Sequence, residues 1–448
     1  MRREISLKKG LDLNLKGSID KSDTTPVAVG RVAVVPDDFQ GFVPKLDVKE
    51  GDEVTQGQSL MHDKNAEAVK LASPVAGVVK AIVRGDRRKI MRVEIDACRE
   101  KNGTTTFEVN PDSAESIKAA LMESGLWALM RQRPYDIVPN VAKQPRDIFV
   151  TAFDSAPLAP DLSLYVKGKE KEIEAGTKAL KMLTPGNVYI SVRKGEDIKV
   201  PQQATEVLVS GPHPSGNAGV QAANIAPVDK GDTVWTLDIV TLARIGDLML
   251  NRTVDWNVTV AVTGPEVYEP RYVSTVAGAE IAPLLEGNVK SDDRHHRIIS
   301  GNVLTGITTS GDGFIHYPYR QITVIAEGDD VDEFMGWASM SPNKMSVSRS
   351  FPSWFMRKKS FAPDARINGG RRAMIMSGEY DKVLPMDILP EYLIKAAIAR
   401  DIDKMEQLGI YEIAPEDMAL CEYVDPSKIE IQKIIRDALD YMRKELDD

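Results

Sequence analysis

Apolar positions along the chain change their period several times, and each change marks a new kind of structure. Between about Gly30 and Asp96 short β-branched runs are cut at regular intervals by Gly and Asp, which predicts an all-β unit. From about Pro111 the pattern turns to alternating helix and strand. Ala114 to Met130 carries the apolar stripe of an amphipathic helix. Strand-like runs follow at Asp147 to Ala152, Val188 to Val192 and Glu206 to Ser210, with a helix from about Glu170 to Leu183 stopped by Pro185-Gly186. A second strand-rich unit runs from about Thr253 to Glu327. Periodicity then fades between Ser339 and Gly370, and two helical stripes close the chain: Leu393, Ile394, Ala397, Ile398, Ile402, Met405 and Leu408, then Ile431, Ile434, Ile435, Ala438, Leu439 and Met442.

The expected architecture is an α/β multidomain protein. An N-terminal segment (1–29) precedes a barrel (30–102), a Rossmann-like layered domain (103–252), a β-grasp domain (253–330), a connector (331–370) and a helical domain (371–448). Val48-Lys49-Glu50-Gly51-Asp52 to Leu60, followed by Ser73-Pro74-Val75-Ala76-Gly77, resembles the lipoyl and biotinyl carrier barrel, in which a hairpin-tip lysine takes the cofactor. The stretch from Lys64 to Pro74 is longer than that pattern, so Lys64 is expected away from a tight turn, unmodified, on a structural barrel. Val258 to Tyr268, a strand and then a Gly-Pro turn, resembles the ubiquitin-like, soluble-ligand-binding (SLBB-like) β-grasp domain. Arg294-His295-His296-Arg297 is read as a solvated polar segment, since neighbouring strand residues face opposite ways and cannot chelate one ion.

Charge and cysteine content narrow the function. The 57 basic and 66 acidic residues of the 448 give a net charge of -9 with no basic block, which argues against nucleic acid as a partner. The start of the chain turns polar too soon for a signal peptide, and no apolar run reaches the roughly 18 residues of a membrane span. A soluble cytoplasmic chain is expected, touching a membrane only through a partner. Cys98 and Cys421 exclude a disulfide framework. Arg349, Phe351, Trp354, Phe355, Met356, Arg357, Lys358, Lys359 and Phe361 suit either a partner surface or a connector packed on its own domains.

Candidate chemistry lies in a Gly/Pro loop and two ferredoxin-like frames. Gly211-Pro212-His213-Pro214-Ser215-Gly216-Asn217-Ala218-Gly219 must expose backbone amides at a strand end, and is either an anion or quinone cradle with His213 exchanging protons, or a rigid turn. No G-x-G-x-x-G turn separates strand and helix, which argues against a nucleotide site. Bacterial ferredoxins bind clusters through C-x-x-C-x-x-C-x-x-x-C-P runs. Here Met374, Ser377, Tyr380 and Leu384, then Pro385, fill one such frame, and Pro415, Met418, Cys421 and Asp425, then Pro426, fill another. One thiolate cannot hold a four-iron cluster, so the helical domain resembles a ferredoxin domain without clusters.

The whole chain resembles the A subunit of sodium-translocating NADH:quinone oxidoreductases (Na(+)-NQR), a relative of the C subunit of Rnf complexes and of the flavin subunit of complex I. The most specific pieces are Met130-Arg131-Gln132-Arg133-Pro134-Tyr135, the Gly211 to Gly216 loop, Arg371 to Met374, Leu384 to Pro390 and Asp417 to Cys421. The Rnf and complex I relatives carry a glycine-rich flavin loop where Arg131 to Pro134 stand here, and Thr151 to Pro157 resembles their nucleotide-contacting strand end. After Gly219 the family often carries histidines where this chain has Val220-Gln221-Ala222-Ala223, and at Asp425 it can keep a cysteine.

The resemblance implies a peripheral subunit on the cytoplasmic side of the inner (cell) membrane, in a complex that oxidises NADH, reduces quinone and exports sodium. It implies partnership with the other subunits of that complex, above all the membrane-embedded B subunit. NAD, flavins and iron–sulfur centres would lie on those partners, with no catalytic, cofactor or metal site in this chain. A structural and quinone-binding role remains, with Arg131, Arg133, Tyr135, His213 and Gly216 as the candidate quinone loops. The competing reading is a stand-alone flavin- or NADH-binding oxidoreductase.

Overall fold

The computed structural model of the chain describes residues 2–98, 103–290, 294–329, 335, 341–347, 351–356 and 359–446. The barrel is two small sheets. A four-stranded one joins Arg31–Val34, Ile90–Ala97, Gly77–Arg84 and Glu53–Val54, and a three-stranded one joins Pro44–Leu46, Ser59–Asp63 and Ala66–Ala72. Val32, Val79, Val93, Ile95, Leu60 and Leu71 are buried between them. One expectation fails here: Asp63 pairs with Ala66, so Lys64 and Asn65 form a two-residue hairpin turn. The added length lies beyond the turn, in the seven-residue strand Ala66–Ala72. The Asp63 carboxylate closes the turn by accepting the Val43 and Asn65 N–H groups at 3.3 and 3.0 Å.

The central sheet is mostly parallel. Its order runs Arg2–Ser6, Thr205–Ser210, Val188–Arg193, Asp147–Thr151, Val234–Asp238 and, antiparallel at the far edge, Arg131–Arg133. Alternate side chains enter two different cores, as a sheet covered on both faces requires. Ile148, Val150, Ile190 and Val192 pack with the helices Glu170–Leu183 and Ile239–Asn251 and the barrel. Phe149, Tyr189, Val207 and Val209 pack with Leu393, Ile435 and Leu439 of the helical C-terminal region. The C-terminal helices therefore form the second layer over the sheet.

A second six-stranded sheet orders Ile307–Thr309, His296–Ser300, Gln321–Ala326, Asn257–Thr263, Arg271–Val276 and Thr24–Pro26. The N-terminal 29 residues thus do not stand apart: they lend an edge strand to each large sheet. Two further expectations change. The helix from Ala114, capped by the Ser113 hydroxyl, stops at Glu123, because Gly125 adopts φ +83 and a short turn at Trp127–Leu129 follows. The Arg131–Arg133 stretch, expected in a loop, is a strand paired with Val234–Thr236. Among the described residues no helix is long and apolar enough to cross a membrane.

In the connector, Phe361 is buried and bridges to Leu15, whereas Phe355 is 81% exposed; Arg349, Arg357 and Lys358 lie outside the described residues. His295 pairs with Asp329 at 2.8 Å and His296 lies 3.4 Å from Glu266, so the two rings serve different partners. Among the described residues no group of three His, Cys, Asp or Glu is placed to hold a metal ion.

Candidate functional site

From Asp147–Thr151 the chain winds outward to Val188–Arg193 and Thr205–Ser210, then returns to the other side as Val234–Asp238. The strand order therefore reverses between Thr151 and Asp238, and a crevice beyond such carboxyl ends is where α/β sheets hold ligands. A cavity of about 370 Å³ opens there. Thr151, Phe153, Asp154 and Asp238 line it from the sheet, and His213, Gly216 and Asn217 from the Gly/Pro loop. Asn302, Tyr317, Tyr319 and Arg320 enter from the second sheet, and Glu416 and Gln432 from the C-terminal helices.

The five candidate residues separate in space. Arg131, His213 and Gly216 line the cavity; Arg133 and Tyr135 do not. Arg131 lies over the Tyr317 ring at 5.7 Å and donates through Nη2 to the Asp38 carbonyl at 2.6 Å, while its buried Nη1 has no partner among the described residues. His213 is 4% exposed. Its Nδ1 is 3.0 Å from the Ser155 hydroxyl, which also accepts the Gly216 N–H at 2.8 Å. With Ser155 Oγ already accepting from Gly216, we direct the hydroxyl proton to Nδ1, which leaves Nε2 carrying the ring N–H; Nε2 is buried without a partner among the described residues. Burial lowers the His213 pKa to about 4, so at neutral pH the ring is uncharged. Of the two readings the sequence left open for this loop, a ring held neutral by burial favours the rigid turn over proton exchange. Gly216 is needed for close approach, since a Cβ there would lie 2.6 Å from the Ser155 nitrogen.

Arg133 is 1% exposed and committed elsewhere. Its Nη1 donates to the Asp417 carboxylate and the Glu412 carbonyl, each at 2.7 Å, and Nη2 lies 3.5 Å from Glu416. Tyr135 packs edge-on against Tyr411, ring centroids 6.3 Å apart. Both residues fasten the sheet to the C-terminal helices.

Sequence reasoning missed most of the far wall. Asp238 caps the helix Ile239–Asn251 by accepting Thr241 N–H at 2.8 Å, and both its oxygens bind Arg320 at 2.9 and 3.1 Å. Burial pushes the Asp238 pKa up, but the Arg320 guanidinium outweighs it and holds the carboxylate ionised. Tyr319 donates to the Thr305 carbonyl and Tyr317 to that of Leu129 at 2.5 Å; burial raises both phenols to about 12. Asp154 opens onto the cavity yet is ringed by protein, and that desolvation raises its pKa. The missed signal was a repeated one: Arg133-Pro134-Tyr135, His213-Pro214 and Tyr317-Pro318-Tyr319-Arg320 all join proline to polar aromatic or cationic residues near this crevice.

The frame positions of the C-terminal region meet across the two runs. Tyr380 donates to Asp425 at 2.8 Å, and Asp425 also accepts the Ser427 and Ile429 N–H groups at 3.0 and 2.8 Å. Leu384, Met418 and Cys421 are buried in the apolar core, and burial pushes the Cys421 thiol far up. A phenol, thioethers, aliphatic groups and one protonated thiol do not form the thiolate set a cluster requires, so these residues do not fit one.

A barrel-sandwich unit, an α/β domain, a third sheet-based domain and a set of C-terminal helices on one chain define a multidomain α/β protein, the last three lining the switch-point cavity. Family profiles match the NqrA N-terminal barrel-sandwich hybrid domain over residues 5–98, the NqrA second alpha/beta domain over 112–254 and the NQRA C-terminal domain over 259–311. The A subunits of the Na(+)-translocating NADH-quinone reductases of Rhodopirellula baltica and Hahella chejuensis are each 36% identical to the chain. The alignments cover 98% of this chain and 98% and 100% of theirs. That of Neisseria meningitidis serogroup B is 34% identical, covering 98% and 100%. The chain belongs to the NqrA family, the A subunits of Na(+)-translocating NADH-quinone reductases. Among solved structures, an NAD+-reducing [NiFe]-hydrogenase in the air-oxidized state aligns at TM-score 0.40 and 12% identity over 75% of this chain and 62% of that one.

Proposed function

We propose that the chain is the peripheral, cytoplasm-side subunit of a membrane complex coupling NADH oxidation and quinone reduction to Na(+) export, docked on the membrane-embedded B subunit. In this reading it is itself redox-silent, flavins and iron–sulfur centres lie on partner subunits, and its switch-point cavity receives the quinone head group. The observation that carries the cavity reading is the pair of buried donors, His213 Nε2 and Arg131 Nη1, left without partners among the described residues on the wall of a space of about 370 Å³. Buried donors without partners are costly and call for an acceptor, and the volume lies in the range of small-molecule sites. A quinone carbonyl gains negative charge on reduction, which strengthens a hydrogen bond from either donor.

Two features support the silent reading over a flavin- or NADH-binding one. The helix Ala218–Ile225 starts at the crevice, where its free amides would meet a phosphate. Beside that terminus the Asn217 side chain donates to Asp417 at 3.3 Å, and a Cβ at Gly219 would lie 2.3 Å from the Arg133 guanidinium. The Asp417 carboxylate held near that helix end would repel a phosphate brought to it. We further read the C-terminal helices as a ferredoxin-like frame, because Tyr380 from the third position of one run bonds Asp425 from the fourth position of the other. In two-cluster ferredoxins the fourth ligand of each run crosses in that way.

In the assembled complex, Arg131→Ala and His213→Ala should each raise the KM for quinone about tenfold or more, as expected for deleting one buried hydrogen bond worth about 1–3 kcal/mol. Unchanged quinone kinetics in both alanine variants, with normal assembly, would remove the cavity from the reaction.

A further inference from the structure

Reduction of a quinone to a quinol takes two electrons and two protons. NADH supplies the electrons through the partner subunits, and the protons must come from groups at the ring oxygens. The cavity offers few. His213 is neutral with its proton held in the ring, and the guanidinium of Arg131 does not release one. Tyr317 and Tyr319 spend their hydroxyl protons on the Leu129 and Thr305 carbonyls. Asp238 is held ionised by Arg320; burial raises Asp154 as well, but its Oδ1 accepts the Ala156 N–H at 2.8 Å and the Arg193 and Arg320 guanidinium groups oppose that rise.

Glu416 differs from all of these. It stands on the turn Pro415–Met418, lines the cavity, and leaves half of its side chain open to it. The groups facing it are Asp417 on its own turn, Arg133 on the edge strand with Asp136 just beyond, Asp154 after the central strand, and Tyr319 from the second sheet. Surrounding protein, then the Asp417 carboxylate, outweighs Arg133 and raises the Glu416 pKa to about 8. The group therefore holds its proton to higher pH than an ordinary glutamate does.

We propose that Glu416 is the proton donor for the quinone reduced in this cavity, an assignment that rests on the cavity reading above. The Glu416 O–H bond breaks as a quinone oxygen carrying transferred electron density takes the proton, leaving a carboxylate with Arg133 Nη2 3.5 Å away. That carboxylate reloads from water at the open side, so the second proton follows the same route after the second electron. Arg133, which does not reach the cavity, becomes a positioning residue for Glu416.

The test compares Glu416→Gln and Glu416→Asp in the assembled complex, alongside labelling by a photoreactive quinone. Glu416→Gln should lower kcat for quinone reduction about 10²-fold, the lower end of general acid effects, with quinone KM changed less than about threefold. The wild-type fall in rate as pH rises through about 8 should vanish in Glu416→Gln and survive, displaced, in Glu416→Asp. Labelled cavity residues together with wild-type turnover and an intact alkaline limb in Glu416→Gln overturn the donor role and leave the cavity reading standing. Absence of label from Arg131, His213 and Tyr317 peptides in an active complex overturns both.

Discussion

At the residue scale the site is governed by burial acting in opposite senses on its two titratable ends. Desolvation favours the neutral form of either kind of group, so it lowers His213 and raises Glu416. The consequences for stability follow from which state binds more protons. For His213, the unfolded chain takes up a proton near pH 6.5 and the folded chain only near 4. Stability from this residue is thus complete above about 6.5 and is lost as pH falls toward 4, on the order of 3 kcal/mol. Glu416 works the other way: the folded state holds its proton to higher pH than the unfolded chain, so its contribution is complete below about 4.5 and is lost as pH rises toward about 8. Urea titrations of the purified chain from pH 7 to pH 4.5 should show His213→Gln losing less stability over that range than the wild type. Equal slopes for both proteins would mean that the ring is solvated in solution.

At the element scale, the parts of the fold written in local pattern were legible and the parts set by pairing were not. Strands such as Asp147–Thr151 and Val188–Arg193 show as continuous apolar runs, because both faces of the sheet are buried. The strand Val234–Asp238 and the helix Ile239–Asn251 run into each other without a glycine or proline between them, so local pattern does not separate the two. The edge strands Arg2–Ser6 and Arg131–Arg133 are mostly polar; only the partner strand makes them strands. The same limit applied to the site: His213 and Gly216 announced themselves through unusual loop composition and Arg131 through the family resemblance, whereas Asp238, Arg320 and Glu416 act through partners far away in sequence. Nor does composition show that Gly176 and Gly246 let two helices touch backbone to backbone. A Cβ at Gly246 would fall 1.7 Å from the Glu172 carbonyl, and one at Gly176 would fall 2.3 Å from that of Leu242. Gly246→Ala should therefore destabilise the chain by about 1–3 kcal/mol through overpacking, despite the better helix propensity of alanine. Gly30→Ala, with open space around its Cβ, is the control and should melt with the wild type.

On the scale of the whole molecule, the cavity exists only because three domains converge on one sheet end, so its shape depends on how the C-terminal helices are held. Apolar packing joins them to Phe149, Tyr189 and Val209, but the fixed polar bolt is Arg133 with Asp417. The carboxylate of Asp417 is wholly buried, and it also accepts the Ala414 N–H at 3.0 Å and the Asn217 amide. Arg436 reinforces the contact by donating to the Tyr135 carbonyl at 2.6 Å, but it lies nearer solvent. A buried ion pair contributes little net stability over an apolar pair, yet removing one partner strands the other charge. Arg133→Met keeps the volume and leaves the Asp417 charge stranded, so it should cost about 3–5 kcal/mol. Asp417→Asn should cost less, because an amide oxygen still accepts the Ala414 N–H. Calorimetry of the two variants gives the order of stability, and limited proteolysis shows where the loss falls: cleavage should appear first between the second sheet and the C-terminal helices. If Arg133→Met melts with the wild type and resists protease equally, the helices are held by apolar packing alone, and Glu416 would keep its place at the cavity without its guanidinium.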